Sequence, residues 1–285
     1  MRPTIFVCLK KGIKFLESAG VPEAQISAEE LLSYVLARPR FSFYVDLGVE
    51  MEEQQKLEFE TLLAKRASRY PLQYLMRTAH FRNAVLEVGE GCLIPRPETE
   101  TLVDMVFRTL GRSTEPLNLL DVGAGSGNIA ISLAQERPQW FITATEASPE
   151  ALRYAKMNAE RNGVSGRIRF IQTDLWNGIE GSFDAIVSNP PYLTERELCE
   201  LQPEIEFEPR LALNGGTDGL LFFKRMIYEA ETILKKGGFF FFEVGANQAK
   251  IISEILKSNN FNSIQISKDD AGIDRIVSAR LGNHG

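Results

Sequence analysis

An apolar run that stops abruptly gives the first indication of the fold: Phe183-Asp184-Ala185-Ile186-Val187-Ser188-Asn189-Pro190-Pro191-Tyr192. Its first six residues predict a short buried strand, and the two prolines prevent that strand from continuing. An amide side chain, a rigid backbone carbonyl and an aromatic ring therefore follow the carboxyl end of the strand. Ligands of open α/β sheets bind at that end of the strands, so this stretch is a candidate site.

From Leu117 to the end of the chain, predicted strands alternate with predicted helices. The strands are expected at 117–122, 141–146, 167–172, 183–188, 239–244, 263–267 and 273–279. The helices between them are expected at 128–136, 149–162, 218–235 and 247–258. Such alternation predicts an α/β domain with a mostly parallel sheet of seven strands, covered by helices on both faces.

The residues before this domain predict two further parts. Residues 1–70 show apolar residues at helical spacing, which predicts a small helical bundle, and Ser27 has the spacing of a capping box at a helix start. Residues 71–95 contain short apolar runs interrupted by Gly89 and Gly91, which predicts a β-hairpin linker. The expected domains are thus a helical domain at 1–70, the linker at 71–95 and the α/β domain at 96–285.

Composition and charge disfavour several classes of protein, namely zinc-binding, disulfide-stabilised, membrane-spanning and nucleic-acid-binding proteins. The chain has 285 residues, 44% hydrophobic and 25% charged, which are ordinary values for a globular protein. Its three cysteines form no C-x-x-C pair, so neither a zinc site nor a disulfide framework is indicated, and an intracellular, cytoplasmic location is expected. No signal peptide or membrane span is expected. The net charge of −6 disfavours nucleic-acid binding, although Lys65, Arg66 and Arg69 form a possible local basic patch.

The first predicted strand of the α/β domain runs into a glycine-rich turn, Asp121-Val122-Gly123-Ala124-Gly125-Ser126-Gly127-Asn128. Glycines at such a turn let the backbone approach a ligand, and the helix that follows offers free N–H groups. Glu146 ends the next strand, 19 residues after Gly127. A spacing of about 20 residues suits a carboxylate that binds ribose hydroxyls, so a nucleoside-containing ligand is predicted.

The turn has the spacing G-x-G-x-G, with Asn128 where a dinucleotide-binding fingerprint has its third glycine. It resembles the turn of class I S-adenosylmethionine-dependent methyltransferases. In that family the glycines line the amino-acid part of the donor and the acid of the second strand binds the ribose. The resemblance also implies an adenine contact by Asp174, with Leu175 or Trp176 packing on the ring.

A methyl donor gives the Asn-Pro-Pro-Tyr loop a chemical role. The side-chain oxygen of Asn189 and the carbonyl of Pro190 can accept the two hydrogens of a planar –NH₂ group and direct its nitrogen at the methyl group. Pro191 stiffens the loop, and the ring of Tyr192 can stack on a flat substrate. The exocyclic amine of adenine and the amide of glutamine both satisfy this geometry, so the loop alone leaves the substrate open.

Further stretches resemble the release-factor glutamine methyltransferases, the HemK or PrmC family, over nearly the whole chain. The most specific are Leu93-Ile94-Pro95-Arg96-Pro97-Glu98-Thr99-Glu100 together with Asn189-Pro190-Pro191-Tyr192; Pro71-Leu72-Gln73-Tyr74-Leu75, Glu243-Val244-Gly245 and Asp270-Ala271-Gly272-Ile273-Asp274-Arg275 extend the likeness. The resemblance implies methylation of the glutamine in the Gly-Gly-Gln motif of class-1 peptide-chain release factors. It also implies a Rossmann-like, S-adenosylmethionine-dependent methyltransferase domain at 96–285 and a helical domain that helps to hold the factor.

The resemblance also implies the roles of individual residues. The expected donor-binding residues are Gly123, Ala124, Gly125, Ser126, Gly127, Glu146, Asp174, Leu175 and Asn189. The glutamine is expected to contact Asn189, Pro190, Pro191 and Tyr192, with Asn189, Pro190 and Tyr192 as the catalytic residues and no metal. Two positions depart from the family pattern: Arg77 stands where glycine is frequent, and Glu146 replaces the usual aspartate.

Two alternatives remain open from the residues. An N6-adenine nucleic-acid methyltransferase would use the same loop, but it needs a basic cleft that the acidic balance does not indicate. A non-enzymatic nucleotide-binding or interaction module would retain the glycine turn without the chemistry. The expected partner is therefore a release factor, with neither nucleic acid nor a membrane.

Overall fold

The structure is a computed structural model that describes residues 2–111 and 115–282. The chain forms two compact units. The first contains the residues up to Thr78 together with Gln202–Phe207, and the second contains Ala79–Leu201 and the chain from Glu208 onward. The expected boundaries differ from this division in three respects. Residues 71–78 of the expected linker belong to the first unit, the rest of the linker with its hairpin belongs to the second, and a short segment from far along the sequence joins the first.

The first unit is helical, as its apolar spacing predicts. Its helices are α1 (Ile5–Ser18), α2 (Ala24–Leu36), α3 (Ser42–Val45), α4 (Glu53–Ala67) and α5 (Leu72–Met76). Thr4 caps α1, since its side-chain oxygen accepts a hydrogen bond from the backbone N–H of Val7 at 3.3 Å. The apolar face of α1 is buried against α2 and α4, which forms the core of this unit.

The predicted capping box at Ser27 is wrong. Helix α2 begins at Ala24, so Ser27 lies inside its first turns and is buried. The hydroxyl of Ser27 accepts a hydrogen bond from Arg66 Nε at 3.3 Å instead. The unit does contain a capping box, formed by Glu52 and Gln55 at the start of α4.

The possible basic patch of the first unit is largely neutralised by one carboxylate. Arg66 and Arg69 both bind Glu204, with nitrogen–oxygen distances of 3.0 and 2.6 Å. The side chain of Arg66 is only 7% exposed, so its charge faces its partner and not solvent. These two arginines therefore do not supply a free cationic surface for nucleic acid.

The second unit contains a hairpin and the predicted seven-stranded sheet. Its strands are β1 (Ala79–Phe81), β2 (Ala84–Leu86), β3 (Asn118–Val122), β4 (Phe141–Glu146), β5 (Ile168–Gln172), β6 (Phe183–Ser188), β7 (Leu234–Glu243), β8 (Phe261–Lys268) and β9 (Asp274–Leu281). The helices are α6 (Glu98–Leu110), α7 (Asn128–Glu136), α8 (Pro149–Arg161), α9 (Leu221–Glu229) and α10 (Ala249–Ser258). Apolar side chains cover both faces of the sheet in two core clusters.

The sheet order is β5-β4-β3-β6-β7-β9-β8. Among these described strands, β9 runs antiparallel to both of its neighbours, β7 and β8, and the other pairs are parallel. The prediction of a Rossmann-like, mostly parallel sheet is therefore confirmed. The hairpin pairs β1 with β2 through a turn at Arg82 and Asn83. Gly89 and Gly91, which the sequence placed at breaks of the hairpin, both follow it.

Strand β7 departs from the predicted boundaries. A helix was expected over 218–235, but α9 ends at Glu229 and β7 already begins at Leu234. The register between β6 and β7 shifts between Phe183 and Ala185, beside Gly237 and Gly238. Gly237 has a φ of +75°, which a β-bulge accommodates without steric cost. The glycine pair therefore marks an irregularity within the strand and not the end of a helix.

In the described part of the chain, no helix combines the length and the apolar character needed to cross a bilayer.

Candidate active site

A cavity of about 550 Å³ lies in the second unit at the carboxyl ends of the central strands. The chain proceeds from β3 through β4 to β5 on one side and then places β6 on the other side of β3. The cavity therefore lies where the strand order reverses, which is where open α/β sheets bind ligands. Its lining brings together many of the residues singled out from the sequence: Gly123, Gly125, Glu146, Asp174, Leu175, Asn189, Pro190 and Pro191.

Of the five residues from Gly123 to Gly127 in the glycine turn, two line the cavity. Gly123 and Gly125 have φ of +76° and +56°, and a Cβ added to either would meet no atom within 4 Å in the described part of the chain beyond the adjacent residues. Both therefore present bare backbone to open space. Gly127 serves packing instead, because a Cβ there would meet Ile131 and Ala155 at 3.1–3.3 Å. The two remaining residues of the turn, Ala124 and Ser126, are buried and do not line the cavity.

Glu146 ends β4 with its carboxylate held by two backbone donors. Gly125 N–H donates to Oε2 at 2.9 Å and Ser148 N–H donates to Oε1 at 2.8 Å. The residue is only 9% exposed, so these bonds fix the carboxylate at the cavity wall. Each oxygen keeps a lone pair for a second donor, which is what a pair of ribose hydroxyls requires.

Asp174 and Leu175 line the cavity beyond β5. The carboxylate of Asp174 forms an ion pair with Arg225, which also lines the cavity, at 2.7 Å. The side chain of Asp174 is half exposed, so solvent screens its attraction to Arg225. Leu175 is buried with a φ of +51°, whereas Trp176 packs in the core and does not line the cavity.

The Asn-Pro-Pro-Tyr loop divides between the cavity and the core. Asn189, Pro190 and Pro191 line the cavity, and Asn189 Nδ2 donates to Thr99 Oγ1 at 3.1 Å. Tyr192 is turned away: its hydroxyl lies 3.4 Å from Glu243 Oε1, and burial raises its pKa. The ring of Tyr192 packs against the core, so the structure does not place it where a substrate would stack.

Thr99 and Glu243 are buried behind the loop, and the sequence analysis predicted no role for either. Thr99 Oγ1 donates to Glu243 Oε2 at 2.6 Å, and both residues are only 1% exposed. Burial raises the pKa of Glu243 to about 7, although the hydrogen bond from Thr99 and the charge of Arg275 lower it. A sequence signal existed for Glu243, since a carboxylate directly after a run of phenylalanines requires a partner.

The segment before α6 is anchored by another buried carboxylate that sequence reasoning left without a role. Glu208 accepts a hydrogen bond from the backbone N–H of Ile94 at 3.0 Å and forms an ion pair with Arg96. Its side chain is 2% exposed. Because Pro209 and Leu211 line the cavity, Glu208 holds the stretch from which they extend.

Comparisons with known proteins agree with this architecture. Residues 100–203 match the family model described as "Methyltransferase small domain", and residues 8–76 match "PrmC N-terminal domain". The chain is 37% identical over 270 residues to the release factor glutamine methyltransferase of Geobacter sulfurreducens, covering 94% of this chain and 93% of that protein. It is 42% identical over 220 residues to the protein of the same name from Synechocystis, covering 74% of each.

A comparison of folds gives a likeness to the crystal structure of a methyltransferase from Pyrococcus furiosus. The TM-score is 0.53 at 23% identity, over 70% of this chain and 90% of that one. At this identity the likeness shows a shared fold.

Proposed function

Because the chain belongs to the release factor glutamine methyltransferase family, we propose that it methylates the side-chain amide nitrogen, N5, of the glutamine in the Gly-Gly-Gln motif of class-1 release factors. The proposed donor is S-adenosyl-L-methionine. One observation carries the proposal: the glycine turn with Glu146 and the loop with Asn189 line a single cavity. A donor and an acceptor amide can therefore meet there.

The residues of the cavity fit the proposed donor. A volume of about 550 Å³ lies within the range of roughly 300–1,000 Å³ that is usual for cofactor sites. Gly123 and Gly125 leave the backbone open for the amino-acid part, and the free lone pairs of Glu146 suit the ribose hydroxyls. When bound, the donor supplies an electrophilic methyl group on a sulfonium sulfur.

Asn189 and Pro190 orient the amide group of the substrate. An amide nitrogen is a weak nucleophile because its lone pair is delocalised into the carbonyl, so accurate positioning contributes much of the rate. Asn189 Oδ1 and the Pro190 carbonyl accept no hydrogen bond from the described residues and are free to receive the two hydrogens of the substrate –NH₂. They also stabilise the positive charge that develops on nitrogen as the N–C bond forms. The bond from the methyl carbon to sulfur would break as the N–C bond forms, and the surplus proton would then pass from the nitrogen to water.

We further propose that the first unit helps to hold the release factor. Around α3 it exposes several apolar side chains, with Phe41 71% exposed, Val45 73% and Leu47 51%. A group of exposed apolar residues of this kind suits contact with a protein. Since release factors act in translation, we propose a cytoplasmic location for the reaction.

The direct test is methyl transfer from labelled S-adenosylmethionine to a purified release factor, to its variant with alanine in place of the motif glutamine, and to duplex DNA. We expect label on the unaltered factor alone. Label on DNA with none on the factor would favour the N6-adenine alternative. Binding of the donor without transfer to either would favour a non-enzymatic module.

A variant of the acceptor loop tests the mechanism. Asn189→Ala should lower kcat by about 10²-fold or more, because the substrate nitrogen loses one of its two acceptors. Asn177→Ala is the matched control, since Asn177 is exposed and its side chain makes no hydrogen bond with the described residues. Full activity of Asn189→Ala would contradict the proposed orientation.

A further inference from the structure

We infer that Thr99 and Glu243 are positioning residues that fix which end of the Asn189 side-chain amide faces the acceptor. The inference rests on the proposed function, because it concerns the orientation of the acceptor group. Neither residue lines the cavity, so both would act through Asn189.

The three residues meet because of the sheet register. Strands β6 and β7 are parallel, with Ser188 beside Phe242, so the next residues, Asn189 and Glu243, reach the same edge of the sheet. Thr99 lies in the first turn of α6, which packs on β7. Its hydroxyl lies between them, 2.6 Å from Glu243 Oε2 and 3.1 Å from Asn189 Nδ2.

The direction of these hydrogen bonds determines the orientation of the amide. An ionised carboxylate only accepts hydrogen bonds, so the single hydroxyl hydrogen of Thr99 goes to Glu243. The Thr99 oxygen is then left as an acceptor, which favours the NH₂ end of Asn189. Oδ1 of Asn189 consequently remains free, and an acceptor of hydrogen bonds is what a substrate –NH₂ group needs.

Burial strengthens the control that the hydrogen bonds of Thr99 to Glu243 and Asn189 exert on the orientation of the amide. Thr99 and Glu243 are each 1% exposed, so little water is available to take the place of either partner. A reversed amide would bring Oδ1 against the Thr99 oxygen, whose hydrogen is already committed to Glu243. Two acceptors without a hydrogen between them repel each other, and a buried polar group without a partner is costly.

The direction of the hydrogen bonds among Glu243, Thr99 and Asn189 depends on the ionisation of Glu243. A protonated Glu243 can donate to the Thr99 oxygen, which releases the hydroxyl hydrogen of Thr99 and allows either end of the amide to face it. Burial raises the pKa of Glu243 to about 7. Hydrogen bonds from Thr99 and Tyr192 and the positive charge of Arg275 favour the ionised form, while the negative charge of Glu98 opposes it. Activity should therefore rise with pH as Glu243 ionises.

The first experiment compares Thr99→Val with Thr99→Ser and with Thr101→Val as the matched control on the same helix. Thr101 makes no side-chain hydrogen bond with the described residues. Thr99→Val removes the hydroxyl with little change in volume, and we expect kcat to fall by about 10²-fold while KM for the donor stays unchanged. Thr99→Ser should restore most of the activity. A Thr99→Val enzyme with the kcat of Thr101→Val would overturn the inference.

The second experiment measures kcat against pH for the wild type and for Glu243→Gln. The wild type should lose activity as pH falls through about 7, the region in which Glu243 takes up its proton. Glu243→Gln cannot titrate, so its profile should lack that limb. An unchanged limb in Glu243→Gln would assign the titration to another group and would contradict the role of Glu243.

A spectroscopic readout separates failure of this inference from failure of the proposed function. In ¹⁵N-asparagine-labelled protein, the side-chain NH₂ signal of Asn189 is assigned by its loss in Asn189→Ala. Its hydrogens should exchange with water at least about tenfold faster in Thr99→Val than in Thr101→Val, because the hydrogen bond to Thr99 that protects them is lost. Equal exchange rates would overturn the inference even in an enzyme that methylates release factors. Faster exchange would support it even if no transfer to a release factor were found.

Discussion

Arg77 has an unusual backbone conformation for an arginine. It follows α5 with a φ of +54°, and its side chain is exposed and makes no hydrogen bond or ion pair with the described residues. The family resemblance of the sequence implies glycine at this position. The left-handed conformation costs a residue with a Cβ about 1–2 kcal/mol, whereas glycine adopts it freely.

Arg77→Gly is therefore expected to raise the free energy of unfolding. The gain should be about 0.5–1 kcal/mol, because the greater freedom of glycine in the unfolded chain offsets part of the relieved strain. Urea unfolding at neutral pH measures the difference. Arg69→Gly is the comparison, since Arg69 has a φ of +68° but binds Glu204. It should destabilise the protein, and a destabilised Arg77→Gly would contradict the account of strain.

At the same scale, the residues of the site differ in how far the sequence could locate them. Glu146 ends a predicted strand and Asn189 directly follows another, so strand order alone predicts that they reach one edge of the sheet. Tyr192 follows Asn189 by only three residues, and sequence cannot tell which side of an irregular loop its ring occupies. Thr99 was missed for a related reason: it meets Asn189 only through tertiary packing, 90 residues away in the sequence.

Asp121 joins two elements, strand β3 and helix α7. Its Oδ2 accepts a hydrogen bond from the backbone N–H of Ala130 at 3.0 Å, and its other oxygen is buried without a hydrogen-bond partner among the described residues. Burial raises the pKa of Asp121 from 3.8 to about 7, so the folded protein holds its proton more tightly than the unfolded chain does. The first turn of α7 is thus connected to the sheet through an acid that is costly to ionise.

This linkage predicts the pH dependence of stability. Below about pH 4 Asp121 is protonated in both the folded and the unfolded state, so it does not lower the free energy of unfolding. Above about pH 7 it is ionised in both states, and its buried charge lowers the free energy of unfolding by the full amount. Asp121→Asn should therefore gain stability relative to the wild type as pH rises from 4 to 8. Thermal unfolding of both proteins without ligand tests this, and a difference in Tm that stays constant over the range would contradict the assignment.

The elements themselves were largely predictable from periodicity, and the exceptions have identifiable causes. Strand β6 has the predicted bounds because its apolar run is closed by two prolines. Helix α9 is much shorter than expected because β7 begins before Gly237, and a glycine pair in a bulge resembles a helix stop in sequence. Helix α2 begins before Ser27 because burial of its apolar face overrides the local capping signal.

At the scale of the whole molecule, the proposed role of the first unit gives a separate prediction. Replacing Phe41 and Val45 together by serine should raise KM for a release factor by roughly tenfold, since each exposed apolar side chain contributes about 1 kcal/mol or less when it is partly covered. The affinity for S-adenosylmethionine should not change. Methylation kinetics with the intact factor measure the effect.

The control uses the same enzyme with a different acceptor. A short peptide carrying the Gly-Gly-Gln motif cannot reach an extended docking surface, so its KM should be the same for the wild type and the double variant. An equal rise in KM for the factor and the peptide would contradict the docking role. The boundaries of the unit were only approximately predictable, because no local pattern shows that residues 202–207 join helices near the start of the chain.

That segment restricts how the protein can have been assembled in evolution. The chain leaves the second unit after Leu201, contributes Glu204 to the charged cluster with Arg66 and Arg69, and returns at Glu208. A gene fusion that replaced everything before Ala79 would keep Glu204 but lose both of its arginines. A single recombination event near residue 79 therefore cannot exchange the helical unit without breaking its charged cluster. The two units are expected to be inherited together.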